Sequence, residues 1–265
     1  MGRRITQHEI SADDLNIKGA GLAEQKGDSM MINVSFSGSG QLYPLFVGAL
    51  LCLQDRGIKV AEISATSGGA IIAAGYGSGY KPGPSLVELI KRTLPLKNNL
   101  FDLSLFSFFT KWGLIKGERI EKVFSDKFCK TLGETKIPVH IVAANVSRRR
   151  YRIFSSKKDP NFSVASAVRA SISLPLIFAP LEIGGDLYVD GGIVKNLPID
   201  VFTNGLPTIG FRIRSSGGIG QKIKSLKDYL FSLIDTIVDC NEDEDIDDSN
   251  SKMVIDLNTK YHSLN

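Results

Sequence analysis

Residues 31–76 read MINVSFSGSGQLYPLFVGALLCLQDRGIKVAEISATSGGAIIAAGY, and this stretch decides the fold. Met31 to Phe36 is a short apolar run ending in Ser37-Gly38-Ser39-Gly40, the pattern of a buried strand entering a glycine turn. Pro44 suits the first turn of a helix, and Leu45 to Gln54 continues as a helix apolar on nearly every side until Gly57. A helix without a polar face must be buried. The unit then repeats: Val60 to Ser64 is a second strand, Ala65-Thr66-Ser67-Gly68-Gly69 a tight turn, and Ala70 to Tyr76 another buried helix. Strand, small-residue turn and buried helix, twice in succession, predict a parallel sheet covered on both faces.

Outward from this core, Ile137 to Val146, Tyr151 to Phe154, Asp186 to Asp190, Thr208 to Arg214 and Met253 to Leu257 read as further strands. Helices are expected at about 117–131, 162–171 and 222–239. The last carries Ile223, Leu226, Leu230, Leu233, Ile234, Ile237 and Val238 at spacings of three and four. The expected architecture is α/β, three layers α/β/α around a mainly parallel central sheet, over one domain at 30–265. Residues 1–29 are polar and aperiodic and read as an arm outside it. Residues 81–116 break the rhythm: after Pro82 and Pro84, Leu100 to Ile115 (LFDLSLFSFFTKWGLI) reads equally as a core helix or an amphipathic lid.

Composition narrows the function. With 43% hydrophobic and 23% charged residues in 265, the chain is ordinary globular protein, and its 26 glycines and 10 prolines show no repeat. Cys52, Cys129 and Cys240 are far apart and form neither a disulfide framework nor a zinc pattern, which suits a reducing compartment. The net charge of +4 is too balanced to imply nucleic acid. Six acids fall within Glu242 to Asp248, however, so the remainder carries about +10 and is drawn toward anionic surfaces. That acidic run lacks the ligand spacing of a calcium loop and reads as a loop before the last strand. The longest apolar run, Leu45 to Leu53, is about half of the ~18 residues a membrane span needs. No apolar stretch follows Arg3 and Arg4, so no secretory signal is expected. The expected location is cytoplasmic or peripheral at a membrane surface.

Two turns are candidates for chemistry. Gly38 to Tyr43 (GSGQLY) begins like a dinucleotide fingerprint, but Tyr43 stands where the third glycine would be. Ala65 to Gly69 fits a nucleophile elbow better, because a sharp strand-to-helix turn tolerates only small residues on either side of its serine. Ser67 then reads either as a nucleophile at the carboxyl end of a parallel sheet or as a plain helix start. Its base is open on the same evidence. His140 sits mid-strand among apolar residues and reads as a hydrogen-bonded core residue, and His8 lies in the arm. His262 completes the chain order Ser67, Asp190, His262 of an α/β-hydrolase triad. Asp190 closes an apolar strand before Gly191-Gly192, either as an acid presented at a strand end or as a turn aspartate capping its own loop.

Taken together and in order, these segments resemble the patatin-like phospholipase family from Asn33 to His262. The glycine-rich loop falls on Gly38 to Tyr43 with Gly48 in register, the elbow on Ala65 to Gly69, and the Asp-Gly-Gly motif on Asp190 to Gly192. Asn196 and Pro198 follow in the family's spacing, and Arg169-Ala170-Ser171 with Pro175, Phe178 and Pro180 matches the approach to that motif. The resemblance implies Ser67 as nucleophile and Asp190 as its sole partner, a dyad without histidine. Gly38, Ser39 and Gly40 would give backbone N–H groups to an oxyanion hole, with no metal or cofactor.

Membrane phospholipids or lysophospholipids would be the substrate. Leu100 to Ile115 would supply an acyl groove or a membrane-facing lid. The basic residues Arg148, Arg149, Arg150 and Arg152, with Lys157 and Lys158, would meet anionic lipid or simply form a solvated hairpin. Two departures keep other outcomes open: Leu42 and Tyr43 replace the family's basic residue and glycine, and Ala65 replaces the first elbow glycine. The alternatives are a catalytically silent lipid-binding or regulatory relative, and an acyltransferase. The family's fold typically continues beyond a segment like Tyr261 to Asn265, so the chain is expected to be a trimmed or minimal version.

Overall fold

The computed structural model describes residues 29–93, 110–215, 222–225, 228–229, 232–238, 240 and 252–259. The arm up to residue 28, Leu100 to Phe109, the acidic run at 242–248, His8 and His262 lie outside the described residues.

The first two strands are β1 (Met31–Phe36) and β2 (Lys59–Thr66), and helices α1 (Leu45–Asp55) and α2 (Gly68–Gly77) follow them as expected. Next come α3 (Pro84–Thr93), β3 (Gly113–Ile115), α4 (Glu118–Lys127), β4 (Val139–Asn145) and β5 (Arg150–Ser155). They are followed by α5 (Val164–Ser171), β6 (Leu176–Phe178), β7 (Leu181–Ile183), β8 (Asp186–Asp190), β9 (Thr208–Ser215) and β10 (Lys252–Thr259). The main sheet runs β10-β9-β1-β2-β4-β8-β7, with β5 on the other edge of β4. From β10 to β4 all pairings are parallel, while β5, β8 and β7 pair antiparallel. Helices flank this mixed, mostly parallel sheet in the α/β/α arrangement.

The register of β4 fixes where the strand ends meet. β2 pairs with β4 from Ile63↔Val139 to Thr66↔Val142, and β8 pairs with it from Ala143↔Asp190 to Asn145↔Tyr188. Because β5 occupies the opposite edge along His140 to Asn145, β2 and β8 share a single edge of β4. They approach from opposite directions, and their ends abut at Thr66 and Asp190.

Apolar side chains from one face of β1, β2 and β4 form the core with α1 to α5. Phe36 stacks on Phe46 with ring centroids 4.5 Å apart. Helix α2 is buried nearly all round, and a Cβ at Gly69 would come within 2.6 Å of the Ser37 carbonyl, so only glycine lets it approach β1. His140 is a buried core histidine, as expected, with Nε2 2.9 Å from Glu62 Oε2. Burial holds its pKa below the ordinary histidine value against the pull of Glu62.

Residues 81–116 divide within the described part. In α3, Leu86, Leu89 and Ile90 belong to the core, whereas Trp112 is 60% exposed beside a two-stranded ribbon of β3 and β6. On the helical residues 232–238, Leu233 and Ile237 from the apolar stripe are exposed.

Arg169 on α5 ties the ribbon to the core. Its guanidinium is 1% exposed and donates to the carbonyls of Gly117 (3.3 Å), Lys116 (2.7 Å) and Ala179 (2.8 Å), and to Ser173 Oγ. Arg169→Met keeps the aliphatic stem but strands these buried acceptors, so it should destabilise the fold by on the order of 3 kcal/mol. Urea unfolding measures this, and a loss under about 0.5 kcal/mol would show that the carbonyls find other donors.

Candidate active site

Ser67 is the one residue between β2 and α2, and it adopts φ 50° and ψ −125°. A positive φ is strained for a residue with a side chain, and it aims this one outward from the strand-to-helix turn. The hydroxyl donates to Asp190 Oδ2 at 2.6 Å. The Ser67 N–H donates to Ser171 Oγ at 2.8 Å, and Ser171 in turn donates to the Val142 carbonyl at 2.6 Å. The last residue of α5 thus fixes the strained turn to β4.

Asp190 is 4% exposed. Its N–H donates to the Ser173 carbonyl at 2.9 Å, and its Oδ1 accepts the Gly192 N–H at 2.8 Å, leaving Oδ2 for Ser67. Burial pushes the carboxyl up to about 6, although the hydrogen bonds from Ser67 and Gly192 pull it back down in part. The glycines after Asp190 are needed for close approach: a Cβ at Gly191 would lie 2.4 Å from the Val142 carbonyl. The loop beyond is tied to β2, where Thr66 donates to the Lys195 carbonyl at 2.9 Å and Ser64 to the Pro198 carbonyl at 2.7 Å.

The glycine loop passes beside the serine, since a Cβ at Gly38 would be 3.3 Å from Ser67 Cβ. Gly38 departs from its expected role. Its N–H goes to Asn196, at 3.0 Å from Oδ1 and 3.2 Å from the carbonyl oxygen, so it bridges the two loops. Among the described residues no acceptor takes the N–H of Ser39, Gly40 or Gly68, the last being the first residue of α2. Tyr43, where the family has glycine, is buried, and its Cβ lies 3.0 Å from the Cβ position of Gly68.

The structural parts of Asn196, Ser171 and Gly68 were not foreseen. Asn196 and Ser171 carried a signal only in their spacing from Asp190, and Gly68 in following the elbow serine. Of the basic residues, Arg149 and Arg150 are exposed, while Arg148 pairs with Asp186 and Lys157 with Glu62. Arg152 is half-buried, its guanidinium 4.6 Å from the Phe154 ring centroid, so it packs against the core instead of standing free. Among the described residues no group of three or more His, Cys, Asp or Glu is placed to hold a metal ion, and no helix is long and apolar enough to cross a membrane.

The chain matches the family model of patatin-like phospholipases over residues 34–203, which take in the glycine loop, Ser67 and Asp190, and it belongs to that family. An uncharacterized protein of Acanthamoeba polyphaga mimivirus, R571, is 33% identical over 229 residues, covering 78% of this chain and 75% of that protein. A probable lipid hydrolase of Invertebrate iridescent virus 6, 463L, is 27% identical over 180 residues, 62% of this chain and 61% of that protein. Among solved structures, VipD from Legionella pneumophila superposes with a TM-score of 0.47 at 14% identity, over 89% of this chain and 63% of that one.

The raised carboxyl has a consequence for stability. A group whose folded pKa of about 6 exceeds its unfolded value contributes fully below about pH 4, and loses that contribution as pH rises through about 6. Asp190→Asn, neutral at every pH, should therefore be more stable than the parent at about pH 8, by on the order of 2 kcal/mol, with the gap closing toward about pH 4. Thermal unfolding at both pH values measures it. An equal difference at each would trace the effect to hydrogen bonding and not to charge.

Proposed function

We propose that this chain is a metal-independent serine acyl hydrolase that cleaves fatty-acyl esters of glycerophospholipids or lysophospholipids at a membrane surface. Membership in the patatin-like family and a relative named as a probable lipid hydrolase support the class. The observation that carries the reading is the 2.6 Å contact between a serine at positive φ and a buried carboxylate.

In this reading Asp190 Oδ2 takes the Ser67 proton as Oγ attacks the ester carbonyl carbon. The oxygen of the tetrahedral intermediate is received by the N–H groups of Ser39, Gly40 and Gly68, aided by the N-terminal dipole of α2. Collapse breaks the bond to the leaving alcohol, which takes the proton from Asp190, and leaves an acyl ester on Ser67. Water then attacks that ester while giving its proton to Asp190. The second collapse returns the proton to Ser67 Oγ and frees the fatty acid.

Burial tunes the base. A carboxylate at its ordinary pKa near 4 accepts a proton poorly, and one raised to about 6 is stronger yet still ionised at neutral pH. Activity should therefore rise with pH through about 6 and level off above it.

Ser67→Ala should abolish fatty-acid release from phospholipid vesicles, and Asp190→Asn should lower it by on the order of a hundred- to ten-thousandfold. His262→Ala should leave it intact, and loss of activity there would favour a triad. A fluorophosphonate probe should label Ser67 in the folded protein. Absence of an adduct would sink the enzyme reading in favour of the silent lipid-binding one. Product analysis with an added alcohol acceptor separates hydrolysis from acyl transfer.

A further inference from the structure

At the turn between β4 and β5, a pocket of about 490 Å³ is lined by Asn145, Arg148, Arg150, Arg152, Asp186 and Tyr188 among others. Three guanidinium groups and one carboxylate line it, and a second carboxylate, Asp159, holds Arg152 from outside the lining at 3.1 Å. The register places Asn145 opposite both Arg150 and Tyr188, and Ala143 opposite both Arg152 and Asp190. Alternation along the strands then sets Asn145, Arg150, Arg152, Tyr188 and Asp190 on one face of the sheet. The pocket floor is one two-residue step, about 7 Å along the strand, from Asp190.

The floor is built and incompletely satisfied. Asn145 Oδ1 accepts the Arg148 N–H at 2.9 Å and its Nδ2 donates to Asp186 Oδ2 at 3.0 Å, so the amide orientation is fixed by its neighbours. Nδ2 also donates to Tyr188 Oη at 3.0 Å, and Arg152 Nη1 donates to the same oxygen at 3.2 Å. Tyr188 is 2% exposed, and its oxygen already accepts twice. Its own proton needs an acceptor, and no described atom provides one. Above it, Arg148 spends Nε on Asp186 (3.0 and 3.1 Å), and its Nη groups carry no hydrogen bond among the described residues. The Arg150 side chain, on a residue whose backbone pairs with Asn145, has neither a hydrogen bond nor an ion pair among the described residues.

We propose that this pocket binds the oxygens of a phosphoryl group, with the Arg148 and Arg150 guanidiniums and the buried Tyr188 hydroxyl as donors. Arginine forks match the spacing of phosphate oxygens, and a hydroxyl whose lone pairs are filled can only give its proton to such a ligand. Asp186, held ionised by Asn145 and Arg148, positions Arg148, and Asp159 pairs with Arg152, which leaves the Arg150 guanidinium without an ion pair among the described residues. The ligand class stands on the pocket alone. Its use as a subsite for a phospholipid head group rests on the hydrolase reading and on the sheet face shared with Asp190.

The test uses Ser67→Ala protein, so that no lipid is turned over and binding is read independently of catalysis. Co-sedimentation with phosphatidylcholine vesicles, with and without phosphatidic acid, is compared with calorimetric titration by glycerol 3-phosphate. Binding to phosphatidic acid vesicles alone identifies a head group in the bilayer, and binding to glycerol 3-phosphate shows that a free phosphoryl group suffices. In either arm Arg150→Ala should weaken binding about tenfold and Tyr188→Phe several-fold. Arg149→Ala makes the same change of charge on an exposed residue outside the pocket lining, and should alter binding less than about twofold. Equal losses for Arg149→Ala and Arg150→Ala would reduce the effect to surface charge and overturn the proposal, as would no binding in both arms. Failure of the hydrolase reading leaves these results standing.

Discussion

One edge of β4 is shared by two strands that meet head to head, and the candidate site depends on this arrangement. β2 leaves the edge after Thr66, opposite Val142, and β8 reaches it at Asp190, opposite Ala143. Each strand end turns away at the junction, β2 through Ser67 into α2 and β8 through Gly191 into the loop that follows. Backbone pairing thus brings two side chains 123 positions apart in sequence within reach of a hydrogen bond.

The junction would be costly without its supports. A serine at positive φ stores strain, and the buried carboxylate is shifted, among the described residues, by burial and by hydrogen bonds from a hydroxyl and an amide N–H, not by a cation. Short polar side chains offset part of both costs. Ser171 joins the Ser67 amide to β4, Thr66 and Ser64 anchor the 195–198 segment, and Asn196 joins that segment to Gly38. These are short, buried, uncharged side chains, so they hold the backbone without adding charge near the carboxylate.

Elements bounded by strong punctuation could be read from the sequence almost to the residue. Met31 to Phe36 and Asp186 to Asp190 coincide with β1 and β8, because a glycine turn closes the first and glycines flank the second. Helix α3 was hidden behind Pro82 and Pro84, although Pro84 stands at its first position, where proline is tolerated, and Leu86, Leu89 and Ile90 keep helical spacing. Strands β3, β6 and β7 have three residues each, too few for alternation to register. At the site, Ser67 and Asp190 were legible because elbow and Asp-Gly-Gly turns constrain their own neighbours. The bond from Gly38 to Asn196 spans 158 positions, and nothing local distinguishes an N–H kept for a ligand from one consumed by the fold.

The departure at Leu42 and Tyr43 can be weighed against this geometry. A basic residue in the glycine loop would place a full charge near a developing oxyanion, and this chain has none at that position. What remains is the start of α2, whose first N–H groups carry the positive end of the helix dipole. Tyr43 packs onto that start at Gly68, where it shields the helix terminus from water and so lowers the local dielectric. A partial charge acts more strongly in such a setting than in solvent, in the same way that burial would strengthen Asp190 as the base of the proposed reaction. In the proposed reaction, exclusion of water would thus serve both halves of the site and substitute for the formal positive charge that the loop lacks.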